Sequence, residues 1–316
     1  MILDFLFIII GIALVLWGAD KFTDGASALA RRMHVPPIVI GLTVVAMGTS
    51  APELCVSLAS ALKGAPGMAV GNIVGSNIFN TLAIVGCAAL VAPIAIGRGT
   101  VKKDIPFAVA ASVALAVLTL FDSRLSRIDA IALLAGFAGF MTYTLRLARQ
   151  GHKEEINTEK QESEPELHGV WKSIGLILLG LACLIVGSDV FVTYASDVAH
   201  ELGVSDAVVG LTIVACGTSL PELATSVVAA RKGESALAIG NAIGSNVFNI
   251  LLILGLTGTV CPMDLGGITW IDMAVLLGSI LLLWLFSYTK LRVERWEGGT
   301  LLAVFLAYMT WLVITA

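Results

Sequence analysis

Ten apolar runs, each long enough to cross the hydrocarbon core of a bilayer, constrain the fold of this chain more than any other feature. A transmembrane helix needs about 20 apolar residues, and the runs lie at residues 2–19, 37–60, 68–93, 105–121, 128–147, 171–190, 206–230, 236–261, 269–288 and 299–316. They are too long and too uniformly apolar for the alternating strands of a barrel. Because a helix satisfies its own backbone polar groups in lipid, the sequence predicts an all-α integral membrane protein with ten transmembrane helices.

The second half of the chain repeats the first. The segment GLTVVAMGTSAPEL at 41–54 is identical to GLTIVACGTSLPEL at 210–223 in 11 of 14 positions. The segment GNIVGSNIFN at 71–80 is identical to GNAIGSNVFN at 240–249 in 7 of 10 positions. Both pairs are 169 residues apart, since 210 − 41 and 240 − 71 are both 169. A fixed offset indicates a duplicated structural unit.

The repeat divides the chain into two five-helix units, residues 1–148 and 171–316, joined by a charged segment at 149–170. Five spans is an odd number, so the two copies cross the membrane in opposite directions. Sixteen of the 19 Lys and Arg residues fall in the connections of one side, which the positive-inside rule assigns to the cytoplasm. We therefore expect two inverted-topology repeats in the cytoplasmic membrane, with both termini outside and a mobile cytoplasmic linker. Inverted repeats are typical of secondary transporters.

The GTSAPEL motif predicts a broken helix that carries an acid. Pro52 lacks an N–H and cannot continue the backbone hydrogen bonds of a helix, and Pro221 repeats this in the second half. Thr49, Glu53 and Ser57 are spaced i, i+4, i+8 and share one face if helicity resumes after the proline. Helices 2 and 7 are therefore predicted to be interrupted and to hold the functional site.

The GNxxGSNxxN motif predicts a second polar face next to a face of glycines. The polar residues recur at i, i+4, i+8, and they are Asn72, Ser76 and Asn80 with Asn241, Ser245 and Asn249. Small residues allow helices to approach closely in a membrane. We expect the stripe formed by Gly71, Gly75, Gly240 and Gly244 to press the polar face against the broken helix.

Two acids in lipid require a compensating partner. A charged side chain at the bilayer centre costs about 2.5–3.5 kcal/mol on insertion scales, and two carboxylates brought together repel each other. A bound cation removes both penalties, and carboxylate, hydroxyl, amide and carbonyl oxygens suit Ca²⁺, which takes 6–8 oxygen ligands. Na⁺ accepts the same oxygens. His and Cys are absent from both motifs, which argues against Zn²⁺ or Cu⁺.

On these motifs the chain resembles the cation/Ca²⁺ antiporter superfamily, and specifically its prokaryotic Na⁺/Ca²⁺ exchanger branch. The resemblance implies that Glu53 and Glu222 bind Ca²⁺ at the centre and that Thr49 and Thr218 complete that shell with their carbonyls. It further implies flanking Na⁺ sites and central polar positions, which are Ser50, Ser219, Ser76, Ser245, Ala46, Ala215, Asn80 and Asn249. Some members of the superfamily have aspartate where this chain has Asn249, so two carboxylates are expected here and not three.

The expected function is exchange of Ca²⁺ for Na⁺ by alternating access, with no cofactor and with membrane lipid as the surroundings. Within the superfamily that the chain resembles, the GTS triplets imply Na⁺ coupling, and a Ca²⁺/H⁺ antiporter is the nearest alternative. A cation channel or an intramembrane enzyme is less well supported, because the spans contain no HExxH, no GxGD and no His base. The net charge of −4 gives no indication of a nucleic acid partner.

Spans 1 and 6 are symmetric partners outside the two motifs. We therefore expect them to slide across the other eight spans and to open the site to each side in turn. Asp20 and Asp189 occupy equivalent positions in these spans, and we expect them at the span ends in capping or interfacial roles.

Overall fold

The computed structural model describes residues 2–119, 123–158, 169–202, 215–265 and 267–315. Among these residues, seven helices are long and apolar enough to cross a membrane, and an eighth span is formed if two helices joined at a 45° bend are taken together. The α-helices are α1 Ile2–Arg32, α2 Pro37–Ile40, α3 Ala46–Thr49, α4 Ala51–Leu62, α5 Pro66–Phe79, α6 Val85–Val91, α7 Ile105–Thr119, α8 Arg127–Thr158, α9 Val170–Glu201, α10 Ala215–Thr218, α11 Leu220–Arg231, α12 Ser235–Val247, α13 Leu254–Val260, α14 Trp270–Lys290 and α15 Arg295–Thr315.

Wide π-helical turns interrupt several of these helices, and two short sheets link the halves. The π-helical segments are Gly41–Val45, Asn80–Ile84, Thr100–Asp104 and Phe248–Ile253. The strands are β1 Ile94–Ala95, β2 Arg124–Leu125, β3 Met263–Asp264 and β4 Arg292–Val293. β1 pairs with β4 and β2 pairs with β3, both antiparallel. Each sheet therefore joins one strand from the first half of the chain to one from the second.

The elements recur at the offset seen in the sequence. α4 at 51–62 and α11 at 220–231 differ by 169 at both ends, and so do α6 and α13. The glycines in the middle of the two short connections, Gly64 and Gly233, have φ of +81° and +80°. Only glycine adopts this backbone without strain, so Lys-Gly recurs in both copies because both connections make the same turn.

The seven spanning helices and the bent pair match eight of the ten predicted runs. The predicted run at 105–121 corresponds to α7, which follows directly from the π-helical Thr100–Asp104. The predicted run at 206–230 contains α11, but residues 203–214 lie outside the described part of the chain. α8 continues past the predicted boundary at 148 to Thr158, and the predicted linker residues 159–168 also lie outside the described ranges.

The first and sixth spans are longer than predicted. α1 reaches Arg32 and α9 reaches Glu201, so Asp20 and Asp189 lie inside helices and not at span ends. The expectation that these aspartates cap the spans was wrong, because each lies well inside a continuous helix. Lys232 Nζ lies 2.6 Å from Asp20 Oδ1 and 2.7 Å from Asp24 Oδ1.

α1 and α9 pack against each other in opposite directions. A Cβ atom built on Gly11 would lie 2.9 Å from Gly187 O, and one built on Gly18 would lie 2.8 Å from Gly180 O. As the residue number rises along α1, that of its contact on α9 falls. Glycines at these positions allow the two backbones to touch, and the equivalent first helices of the two halves are therefore antiparallel neighbours.

The centre of the molecule is formed by α5, α6, α12 and α13. Within the span Ser235–Val260, 94% of the most apolar stretch is buried, compared with 22% within Leu3–Arg32. α11 packs on α12 and α4 packs on α5, and α1 contacts α11 from outside. The motif-bearing helices thus lie at the core, and the lipid-facing helices surround them.

Candidate functional site

The predicted break in helix 2 lies at Ser50. α3 ends at Thr49 and α4 begins at Ala51. Pro52 lies in the first turn of α4, where an N–H group has no acceptor within the helix, so the proline costs no hydrogen bond there. The backbone of Ser50 has φ −80° and ψ 8°, and that of Ser219 has φ −94° and ψ 9°. Both breaks therefore have the same geometry, and each one places a serine at the bend between two helical segments.

Each break positions a glutamate in the first turn of the helix that follows. Glu53 and Glu222 both have 0% of their side-chain surface exposed. Acidic groups are stabilised at a helix N-terminus by the helix dipole. This placement offsets part of the cost of burying the two acids, and it directs both carboxylates into the centre of the molecule.

The two glutamates are bound crosswise by the serines at the breaks. Ser219 Oγ donates to Glu53 Oε1 at 2.8 Å, and Ser50 Oγ donates to Glu222 Oε1 at 2.8 Å. Each bond joins one half of the chain to the other. The two halves therefore build a single site, and neither half forms it alone.

Two asparagines hold the acid-bearing helices in place. Asn72 Nδ2 donates to Glu53 O at 3.4 Å and to Ser57 Oγ at 3.0 Å. Its equivalent, Asn241 Nδ2, donates to Glu222 O at 3.2 Å and to the equivalent serine of α11 at 2.9 Å. The predicted i, i+4, i+8 faces thus meet. Through these bonds, each asparagine amide engages the backbone oxygen of one acid and the serine one turn further along the same helix.

Most of the other predicted residues are buried around the acids. Ser76 Oγ lies 3.3 Å from Ser219 Oγ, and Thr49 Oγ1 donates to Asn241 Oδ1 at 3.1 Å. The oxygen of Ala46 accepts the Ser50 amide at 3.0 Å, so one of its lone pairs is engaged within the helix. Thr218 is partly exposed, and of Ala215 only the backbone, at the start of α10, is described.

Several buried polar atoms at this centre have no hydrogen-bond partner among the described residues. They include Glu53 Oε2, Glu222 Oε2, Asn249 Oδ1, Ser245 Oγ and both polar atoms of the Asn80 amide. An unpartnered buried polar atom costs about 1–3 kcal/mol, and more when it is charged. Oxygens from carboxylate, amide and hydroxyl groups are the ligands that hard cations such as Ca²⁺ prefer. The unpartnered oxygens in this set therefore fit a transported cation.

The predicted role of the glycine stripe is confirmed in the second half. A Cβ on Gly240 would lie 3.0 Å from Gly41 Cα, and one on Gly244 would lie 2.7 Å from Ala46 Cβ. α12 therefore presses directly on the first part of broken helix 2. By the 169-residue offset, the corresponding partners of Gly71 and Gly75 fall within 207–215, which includes residues outside the described ranges.

A buried amide network beside the site was missed at the sequence level. Asn77 and Asn246 are buried and hydrogen-bonded across the two halves, but neither belongs to the i, i+4, i+8 face on which the sequence reasoning concentrated. The signal that could have found them is their recurrence. Both are the third residue of a Gly-Ser-Asn triplet, and the two triplets are 169 residues apart.

The fold and the site define a polytopic membrane protein with a buried, oxygen-lined acidic pair shared by two repeated halves. Residues 3–146 and 172–314 match the family described as sodium/calcium exchanger protein, so the chain belongs to this family. The family transports ions and uses no cofactor. The chain is accordingly a cation antiporter and not an enzyme.

Similar proteins match along nearly the whole chain. The putative antiporter CaxA of Alkalimonas amylolytica is 40% identical over 314 residues, which cover 98% of both proteins. The inner membrane protein YrbG of Escherichia coli is 36% identical over 320 residues, covering 99% of this chain and 98% of YrbG. A structure of the sodium-calcium exchanger NCX_Mj soaked with 2.5 mM Na⁺ and 0.1 mM Ca²⁺ superposes with a TM-score of 0.85 at 32% identity, covering 98% of both chains.

Proposed function

We propose that the chain exchanges Ca²⁺ for Na⁺ across the cytoplasmic membrane by alternating access around Glu53 and Glu222. The observation that carries this proposal is the crossed pair of carboxylates. Each has one oxygen bound by a serine of the opposite half and one buried oxygen without a partner among the described residues. A divalent cation between the two free oxygens balances their charge and satisfies their lone pairs.

The ligands of the proposed site are those that the resemblance to the family implies, and the burial of most of them around the two acids supports the set. Glu53 and Glu222 bind Ca²⁺, and the carbonyls of Thr49 and Thr218 with the amides of Asn80 and Asn249 complete its shell. The flanking Na⁺ ligands are the hydroxyls of Ser50, Ser219, Ser76 and Ser245 and the carbonyls of Ala46 and Ala215. Because the two kinds of ion share oxygens, they bind alternately. Two carboxylates balance one Ca²⁺ or two Na⁺.

The same proposal includes the topology. The chain forms ten spans in two inverted five-helix repeats, with both termini outside and the central linker in the cytoplasm. The antiparallel packing of α1 on α9 supports the inversion, because equivalent helices of parallel repeats would run the same way. The name of the relative YrbG supports the inner membrane as the location.

α1 and α9 are the proposed moving elements. They contact each other along glycines that leave no side chain between the backbones, and much of their surface is exposed at the outside of the bundle. We propose that the pair slides across the core and opens the site to each side in turn. A cysteine cross-link between α9 and the core should abolish transport, and retained flux in the linked protein would contradict the sliding model.

Proton coupling is the alternative, because paired carboxylates can carry protons as well as Na⁺. The decisive experiment measures Ca²⁺ uptake into proteoliposomes under a Na⁺ gradient, under a pH gradient without Na⁺, and with neither. Uptake that requires the Na⁺ gradient supports the proposal. Uptake driven by the pH gradient alone would assign the chain as a Ca²⁺/H⁺ antiporter, and the Glu53→Gln/Glu222→Gln double variant provides the leak control.

A further inference from the structure

The amide network beside the site fixes which end of each asparagine faces which neighbour. Asn77 Nδ2 donates to the backbone oxygen of Asn246 at 3.2 Å. A backbone carbonyl can only accept, so the end of Asn77 that faces it must be the NH₂ group. The other end of Asn77 is therefore an oxygen, Oδ1.

The orientation of Asn77 determines that of Asn249. Asn249 Nδ2 donates to Asn77 Oδ1 at 2.9 Å, and Oδ1 can only accept a hydrogen bond. Asn249 must therefore present its NH₂ group to Asn77 and keep its own oxygen at the opposite end. That oxygen is buried and has no hydrogen-bond partner among the described residues.

The other bonds of the network fix the Asn246 side chain, whereas the Asn77 amide is oriented by the Asn246 backbone oxygen. Asn246 Nδ2 donates to Thr81 Oγ1 at 2.7 Å, and Thr81 Oγ1 donates to Asn77 O at 2.9 Å. The residue equivalent to Thr81 in the second half is Ile250, which has no hydroxyl. The symmetry of the two halves is broken at this position, so the network orients only one side of the site.

Asn80 provides the contrast. It is the repeat-equivalent of Asn249, but neither its Nδ2 nor its Oδ1 has a partner within the described ranges. Asn246, the equivalent of Asn77, leaves its own Oδ1 unpartnered there as well. The structure thus holds one amide in a fixed orientation and leaves its counterpart without such a constraint.

We propose that Asn77 is a positioning residue for ion binding, which holds the Asn249 oxygen toward the transported Ca²⁺. This inference rests on the proposed site at Glu53 and Glu222. An amide needs such a device because one end is a ligand and the other end is a donor that repels a cation. A carboxylate at the same position has two oxygen ends and does not need it.

The position of Asn249 agrees with this role. It lies in the π-helical segment Phe248–Ile253, which packs against α4, the helix that carries Glu53. A group that orients a metal ligand without touching the metal commonly contributes about 10- to 100-fold to affinity. We therefore expect loss of the Asn77 contact to weaken Ca²⁺ binding by roughly 10-fold or more.

The test compares Asn77→Leu with Asn246→Leu, which changes the same residue type at the equivalent buried position of the other half. Ca²⁺ affinity is measured by calorimetry on the purified full chain, and the KM for Ca²⁺ and the maximal rate are measured in proteoliposomes. Asn77→Leu should raise both the dissociation constant and the KM by about 10-fold or more. Asn246→Leu should leave both near wild type, because it keeps the backbone oxygen that orients Asn77 and removes no contact to the Asn80 amide.

A third variant distinguishes orientation from packing. In the Asn249→Asp background either end of the side chain is an oxygen, so adding Asn77→Leu should no longer weaken Ca²⁺ binding. This non-additivity is the signature of the proposed role. If Asn77→Leu does not fold, Asn77→Ala serves in its place, because a water admitted there both donates and accepts and does not fix the amide.

Three results would overturn the inference: unchanged Ca²⁺ affinity in a folded Asn77 variant, equal losses in the Asn77 and Asn246 variants, or an undiminished loss in the Asn249→Asp background. Failure of the proposed function would look different. Wild-type protein would then show no Na⁺-driven uptake, while calorimetry on the same variants would still report whether Asn77 controls Ca²⁺ affinity.

Discussion

The substitution Glu53→Gln should stabilise the ion-free protein and remove its response to Ca²⁺. Oε1 of Glu53 accepts from Ser219, and Oε2 is buried without a partner among the described residues. Glutamine keeps the accepting oxygen and replaces the other with a neutral NH₂ group. Removing a charge from the bilayer centre relieves up to about 2.5–3.5 kcal/mol, so the ion-free variant should unfold at a higher temperature than wild type.

The stability that the protein gains on binding Ca²⁺ should fall in this variant, although its ion-free stability rises. A ligand present at 100 times its dissociation constant stabilises a folded protein by about 2.7 kcal/mol. Wild-type protein should gain an amount of this order in saturating Ca²⁺. Glu53→Gln should gain almost nothing, because it lacks one of the two charges that balance the ion. The assay is thermal unfolding of the purified protein in detergent, with and without Ca²⁺.

Glu297 supplies the matched control, since it is also a buried glutamate with only 1% of its surface exposed. Both of its oxygens are partnered, because Oε1 accepts from Thr289 and Oε2 accepts from the Glu294 amide. Glu297→Gln loses part of a helix cap and should destabilise the protein by about 0.5–2 kcal/mol. Its Ca²⁺ response should match wild type. A lower ion-free stability of Glu53→Gln together with a wild-type Ca²⁺ response would refute the reasoning.

Ser50→Ala and Ser219→Ala should each lower the ion-free stability by about 1.5–3 kcal/mol, the range for hydrogen bonds to charged groups, and clearly unequal losses in thermal unfolding would contradict the symmetric pairing. Gly18→Val should separate α1 from α9 and stop Ca²⁺ uptake, whereas exposed Gly175→Val on α9 should not. Burial lowers the pKa of Lys232, but its bonds to two aspartates of α1 outweigh this and leave the pKa raised. Its stabilisation should therefore be present at neutral pH and be lost as the pH rises through that pKa, and Lys232→Met should lack this alkaline loss of thermal stability.

Features that a local rule determines were predictable from the sequence. A proline inside an apolar run predicted the bend at Ser50, because the missing N–H allows few other outcomes. A repeat at a fixed offset predicted that Glu53 and Glu222 belong to one site. The crossed pairing of the serines was not predictable in this way, since it depends on how the two halves pack.

The ends of the first helix and the short sheets were missed for a similar reason. Asp20 was interpreted as the end of a span, but the helix continues to Arg32, and Asp20 pairs with Lys232, more than two hundred residues away in the chain. Each strand has two residues and pairs with a strand of the other half. A two-residue strand is too short to show the alternation of apolar and polar residues that predicts a strand, and the strand that stabilises it is distant in the sequence.

The crossed bonds between the serines and the glutamates have a mechanical consequence. If α4, which carries Glu53, shifts relative to α11, which carries Glu222, both bonds are strained together. The reason is that each bond joins a residue of the first half to a residue of the second. One of the two serine–glutamate bonds therefore cannot break while the other keeps its geometry. The two acid-bearing helices therefore move as one rigid body, and any motion that opens the site must come from elements outside this pair.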